Sequence, residues 1–152
     1  MSVADLLHGF PVVTDIKLLW ADMDARAHVN NAVYFRYFEA ARMGYFEEAG
    51  VLTDSLAGSG RGRILASTGC RFRAPLTYPD LVSIGARVAR LGRDRFSMEY
   101  RAVSHKLDRV AAEGDALVVV YDYDAGRKSA LSEDERAAIC RLEGGHPPPL
   151  ED

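Results

Sequence analysis

Asp22, Asp24 and His28 stand close together in the stretch WADMDARAHVNN, and Asn30 and Asn31 follow directly. A carboxylate just ahead of a helix has a definite chemical use. The first N–H groups of a helix lack internal partners and carry the positive end of its dipole. They can hold an oxygen as it becomes negative, while a carboxylate a few residues upstream attacks the adjoining carbon or takes a proton from water. Asp24 is placed for the carboxylate's part, and the start of the helix that follows for the donor's. Asp22 reads as a loop residue. His28 can orient Asp24, touch a substrate or brace the loop. Asn30 reads as the helix N-cap.

Two other chemistries use similar residues. In D-x-D phosphatases a strand feeds two aspartates and the first attacks phosphorus. Here Arg26 stands where Thr or Val is usual, and no parallel sheet or acidic metal pair follows. A metal site would have only Asp22, Asp24 and His28 as ligands, with no HxxxH or CxxC spacing, so no metal is expected.

These residues need elements to hold them. VVTDIKLLW (12–20) is rich in β-branched residues and predicts a strand. From Asn30 the pattern turns helical. Tyr34, Phe38, Ala41 and Tyr45 recur at helical spacing, with Ala32, Val33, Phe35, Tyr37 and Phe46 beside them. Arg36, Glu39 and Arg42 leave only a narrow polar stripe. A helix apolar nearly all round must be buried by other structure. It should run from about residue 30 to a stop at Gly50, on the order of 30 Å. Tyr34 and Phe38 read as core or pocket wall.

Residues 51–63 (VLTDSLAGSGRGR) read as a flexible connector. Period-two alternation follows in successive segments. The apolar sets are Ile64/Ala66/Cys70/Phe72, Val82/Ile84/Ala86/Val88, Phe96/Met98/Tyr100/Ala102 and Ala112/Ala116/Val118/Val120. Their connectors, PLTYP, LGRDR and HKLD, are too short for parallel crossovers. The economical arrangement is an α+β fold in which a curved antiparallel sheet wraps around one long central helix. In the first of these strands, Thr68 and Gly69 form a small-residue break where a substrate can approach the backbone, or a simple bulge. Ser132-Glu133-Asp134-Glu135 is a capping box opening a short helix to about Leu142. The expected organisation is one domain over 1–144, with 145–152 of the closing GGHPPPLED as a disordered tail.

Composition bounds the function. With 152 residues, 48% hydrophobic and 27% charged, the chain fits one soluble globular domain. No apolar run reaches the roughly 20 residues of a membrane span, and the first residues lack the pattern of a secretory signal. Cys70 and Cys140 suggest no disulfide framework, so a cytoplasmic setting is expected. Between Arg61 and Arg109, eleven basic residues face four acidic ones, whereas the rest of the chain is strongly acidic. That asymmetry points to a local anion site or solvated strand faces, and away from nucleic acid.

The segment D-M-D-A-R-A-H-V-N-N-A-V-Y, continued by Glu39 and Arg42, resembles the signature of acyl-CoA thioesterases of the 4-hydroxybenzoyl-CoA thioesterase type, which have the hotdog fold. The blocks FRAPLTYPDLV and GRDRFSMEY are similar to that family's later strands. The resemblance covers roughly residues 12–123. It implies hydrolysis of an acyl-CoA or aryl-CoA to a carboxylic acid and free coenzyme A, without a cofactor. It places the catalytic carboxylate on Asp24 and the oxyanion donor on the Asn31 backbone, with His28 in support. Coenzyme A phosphates would lie near Arg93 and Arg95; Tyr34, Thr68 and Gly69 are the substrate contacts expected from the residues themselves. It also implies a homodimer or homotetramer. A non-catalytic acyl-CoA-binding protein and a hotdog hydratase or dehydratase are the competing readings within the fold.

Overall fold

The computed structural model describes residues 1–50 and 60–151; residues 51–59 of the expected connector lie outside them. The elements are α1 (Val3–Leu6), β1 (Val12–Lys17), a 3-10 turn (Trp20–Asp22), α2 (Asn31–Ala49), β2 (Arg61–Phe72), β3 (Leu81–Leu91), β4 (Arg95–Ser104), β5 (Arg109–Asp122), β6 (Arg127–Lys128) and α3 (Glu133–Glu143). One sheet has the order β1-β3-β4-β5-β2, and β6 pairs with β5. β1 runs antiparallel to β3, with Val12 opposite Ala86 and Lys17 opposite Leu81. β3, β4 and β5 follow one another through tight turns, as the short connectors require. β2 meets β5 with its direction reversed: the Arg73 N–H donates to Ala111 O and the Tyr123 N–H to Gly60 O.

Packing groups the chain into two compact units, each assembled from separated stretches. The first contains residues 1–45, 70–87 and 100–114. There α2 buries Tyr34, Tyr37, Phe38, Ala41 and Tyr45. Phe38 stacks on Tyr100 with ring centroids 5.1 Å apart and planes 12° from parallel. The helix comes this close because β5 carries Gly114, where a Cβ would lie 2.5 Å from the Phe38 ring. Fully burying such a ring stabilises by about 1.5–3 kcal/mol.

The opposite face of this unit departs from the one-sided burial that alternation suggests. Val82 and Ile84 are buried, but so is Ser83 between them. Ser83 is held between Asp15, to which its hydroxyl donates at 2.5 Å, and His105, whose Nε2 lies 2.7 Å away, while the N-terminal segment packs Phe10 against Gly85. The guanidinium groups of Arg87 and Arg101 lie 4.5 and 5.2 Å from the Phe10 ring centre.

Among the described residues, the second unit contains 46–50, 60–69, 88–99 and 115–151. Phe46, in the last turns of α2, meets Phe96 edge to face. α2 stops at Gly50, which takes a left-handed φ of 76°. α3 opens with the expected capping box, Ser132 and Glu135 bonding reciprocally. The stretch 145–150, whose composition suggested disorder, makes regular backbone bonds. Leu91 donates to Pro148 O at 2.9 Å, and Leu150 donates back to Leu91 O at 3.2 Å. With Glu143 accepting from the Val88 N–H, these bonds occupy the part of β3 that lies beyond β1.

β2 differs from its expected alternation. Ala66 and Phe72, read as inward, are exposed, as is Leu65 at 41%. β2 is the last strand in the sheet order, with a partner on one side only among the described residues. A terminal strand has no second neighbour to help cover its side chains.

Replacing Gly114 with Ala tests the helix–sheet contact. The added methyl should push Phe38 off its site and destabilise by about 1–3 kcal/mol. Denaturant unfolding should then show a lower midpoint at an unchanged slope.

Candidate active site

The loop between β1 and α2 hangs on Asp22. Its side chain is buried, with Oδ2 accepting from the Leu19 N–H at 3.0 Å and from the Tyr37 hydroxyl at 2.9 Å. Its backbone oxygen accepts the Asn30 N–H at 3.0 Å. Asp22 therefore is a loop residue, and its work is to tie the loop to the second turn of α2. Burial first, and then the bond to Asp22, push the Tyr37 phenol well above its ordinary value, so it remains a donor.

Between Met23 and Val29, which form an isolated antiparallel bridge, the chain makes a tight reversal. The Asp24 N–H donates to His28 O at 3.0 Å, and the Ala27 N–H donates to Asp24 O at 2.9 Å. Ala27 completes the turn with φ at 62°, a region that L-residues adopt at a cost. The reversal sets the Asp24 carboxylate at the surface with a donor on each oxygen. Oδ1 accepts from the Arg26 N–H at 2.9 Å, and Oδ2 from the Asn30 side-chain amide at 3.2 Å.

Asn30 caps α2 as its type and position suggest. Its Oδ1 accepts the Ala32 N–H, and its backbone oxygen accepts the Val33 N–H, both at 2.9 Å. Among the described residues no acceptor stands on the Asn31 N–H. Asn31 itself lines a cleft of about 300 Å³, together with His28, Val29, Tyr34 and residues 72–75. Tyr34 lies one turn beyond Asn31 and packs edge to face on Phe72, with centroids 5.0 Å apart. Burial raises the Tyr34 phenol, partly offset by a backbone hydrogen bond at Leu76, so its hydroxyl stays protonated near neutrality. His28 lines this cleft, its side chain makes no hydrogen bond among the described residues, and its backbone oxygen braces the loop.

The structure thus brings His28, Asn31 and Tyr34 onto one cleft, with Asp24 tied to the same helix start. It also adds residues that sequence reasoning passed over. Arg73 lines the cleft and pairs with Glu113 at 3.7 Å; Phe72 and Pro75 flank it. FRAPLTYP marked a turn between strands, but its proximity to His28 depends on pairings that no local pattern encodes.

The other expected site residues fall in the second unit. The Thr68 hydroxyl donates to Asp115 O at 2.8 Å. A Cβ on Gly69 would meet the Asp115 carboxylate at 3.4 Å, an ordinary contact. Arg95 is ion-paired with Asp94 at 2.8 Å, and that contact above all holds the Asp94 carboxyl below its usual range. Arg93 instead lines a cleft of about 480 Å³ with Arg127, Lys128, Ser129, Ala130 and Asp122. Sequence reasoning missed Arg127 and Lys128, which β6 brings back alongside β5.

Known proteins share this fold. A thioesterase from Thermus thermophilus, solved in complex with coenzyme A and Zn, is 31% identical. The match covers 90% of this chain and 98% of that one, with a TM-score of 0.77. The PA5185 protein from Pseudomonas aeruginosa strain PAO1 is 26% identical over 90% of this chain and 94% of its own, with a TM-score of 0.79. An esterase-like protein of Aquifex aeolicus (strain VF5) is 27% identical over 90 residues, 59% of this chain and 70% of that one. The fold is the hotdog fold, a curved antiparallel sheet with a central helix. The model of the thioesterase-like superfamily matches residues 18–139, and the chain belongs to that superfamily. The resemblance read from the D-x-D-x-x-x-H-V-N-N segment is borne out, and the chain is a thioester hydrolase. Among the described residues no group of three or more His, Cys, Asp or Glu side chains is placed to hold a metal ion, so no step is assigned to zinc. No helix is long and apolar enough to cross a membrane.

The Asp22 tie gives a direct test. Tyr37→Phe removes one of its two side-chain donors and should cost about 1–3 kcal/mol, the range for a buried acceptor left short of a partner. Hydrogen exchange should quicken at Asn30 and in the first turn of α2 more than in β3 and β4.

Proposed function

We propose that this protein hydrolyses acyl-CoA thioesters, with Asp24 as the reacting carboxylate and the Asn31 N–H as the oxyanion donor. One observation carries the reading. A carboxylate gripped by the N-cap residue stands at the start of a helix whose first N–H has no acceptor among the described residues, on a residue that lines a cleft. The thioester carbonyl oxygen would accept from that N–H, which is worth most to the tetrahedral state because negative charge develops there. Asp24 would take a proton from water as the water oxygen attacks the carbonyl carbon, or would attack the carbon itself. Collapse then expels the coenzyme A thiolate, which leaves as the thiol after protonation. If Asp24 attacks the carbon, the acyl-Asp24 anhydride left when the thiolate departs is then split by water into the free acid and the Asp24 carboxylate. His28 and Tyr34 would line the acyl side of the cleft.

For the carrier, we propose the Arg93 cleft as the phosphate site. Arg93, Arg127 and Lys128 converge there, whereas Arg95 is engaged by Asp94. Thr68 and Gly69 keep a substrate-contact role in this proposal only as part of an exposed strand. That strand, β2, is a long terminal edge bearing exposed Leu65 and Phe72. Such an edge favours pairing with a second copy. A cytoplasmic setting belongs to the same proposal, supported by Cys70 and Cys140 standing outside any disulfide among the described residues, which suits a reducing compartment.

A panel of acyl-CoA and aryl-CoA thioesters, scored by thiol release, tests the activity. Asp24→Asn should lower kcat by at least about 100-fold while the protein stays folded, in the range that loss of a catalytic acid or base brings. No turnover of any thioester by folded protein would overturn the proposal, and unchanged turnover in Asp24→Asn would overturn the assignment of Asp24. Arg93→Ala combined with Arg127→Ala should raise KM for the coenzyme A ester about tenfold or more and leave kcat nearly unchanged, as loss of uniform binding does. The KM for a short thioester lacking the phosphates should not move.

A further inference from the structure

Asn30 is engaged at every polar group it has. Its N–H donates to Asp22 O at 3.0 Å, its backbone oxygen accepts from Val33 and its Oδ1 accepts from Ala32, both at 2.9 Å. Its Nδ2 donates to Asp24 Oδ2 at 3.2 Å. The two accepting bonds sort the donors at the helix start. Of the first three N–H groups of α2, those of Ala32 and Val33 are taken by Asn30, and that of Asn31 is left for a ligand. The donating bond holds the carboxylate. Because the Asn31 N–H belongs to the peptide that follows Asn30, one residue carries both the grip on Asp24 and the attachment of the donor.

We propose that Asn30 is a positioning residue, setting the Asp24 carboxylate in register with the Asn31 N–H. The proposal rests on the reading of Asp24 as the reacting carboxylate. It goes beyond capping, because a cap needs only an acceptor, and Asn, Asp and Ser serve nearly equally well there. The amide donor is what Asn alone adds among the three. It keeps Asp24 Oδ2 aimed while leaving lone pairs free on both oxygens. A displacement of even about 1 Å between reacting groups can lower a rate by about a hundredfold.

Two substitutions separate the roles. Asn30→Ser keeps a capping acceptor and replaces the amide donor with a shorter hydroxyl. Asn30→Asp keeps the cap and the shape but faces Asp24 with a second carboxylate. Both should melt within a few degrees of the parent. Both should lose kcat by about tenfold or more with KM within about threefold, the pattern of a group needed only in the transition state. In Asn30→Asp the acid limb of the kcat profile should also move up by about one pH unit or more, since a neighbouring like charge disfavours ionisation. A purely structural cap predicts parent-like kcat and an unmoved limb in both variants, and that result would overturn the proposal. Carboxyl ¹³C titration of Asp24 gives a readout independent of turnover. If Asp24→Asn keeps parent activity, the reading of Asp24 fails. Whether Asn30 governs the carboxylate is then decided by its titration: a shift in Asn30→Asp upholds the contact, and none refutes it.

Discussion

A nineteen-residue helix on which Val33, Tyr34, Tyr37, Phe38, Ala41, Tyr45 and Phe46 form one long apolar face cannot leave that face in water, and this constraint governs the rest of the structure. α2 buries Tyr34, Tyr37, Phe38 and Tyr45, and the sheet supplies the surfaces that meet them. The approach is close enough that β5 has no side chain at Gly114 under Phe38 and α2 has none at Gly44 beside Thr14. A helix pressed so firmly has little freedom to slide. Its N-terminus, where backbone donors emerge, is therefore a rigid reference point for chemistry.

The loop before the helix is fastened to that reference point twice, by different residues. Asp22 reaches inward to Tyr37 and fixes the loop's depth. Asn30 reaches outward to Asp24 and fixes the carboxylate. The first bond is buried and the second is exposed, so they differ in what their loss would cost. A buried acceptor deprived of its donor keeps the full penalty of desolvation, while an exposed carboxylate can turn to water. Two aspartates two residues apart thus serve opposite ends, one by being hidden and the other by being reachable.

Much of this was legible in the sequence where the cause is local. Helical spacing marked α2, and the alternation of β3 and β4 marked buried Val82, Ile84, Phe96 and Met98. The Ser132–Glu135 capping box announced α3. Asp24, His28, Asn31 and Tyr34 were legible as a group because they sit within one loop and one helical turn. What escaped depends on contacts between distant parts of the chain. Arg73 reaches the cleft through strand pairing, and Arg127 and Lys128 meet Arg93 through the return of β6. The exposure of β2 follows from its place in the sheet order, which alternation does not encode. The bonds of residues 148–150 to Leu91 are likewise invisible to composition, because Gly and Pro report backbone freedom and not a partner.

The sheet order has a kinetic consequence. β3, β4 and β5 are neighbours both along the chain and in space, so each of their pairings closes only a short loop. β1 and β2 are successive strands in the chain yet occupy the two ends of the order. Pairing β2 with β5 spans the whole of the β3–β4 meander, and closure entropy rises with the length of chain enclosed. The entropic cost of folding is therefore concentrated at the sheet's outer strands, while the middle is assembled from local hairpins. Topology of this kind slows the search for the native state without weakening it.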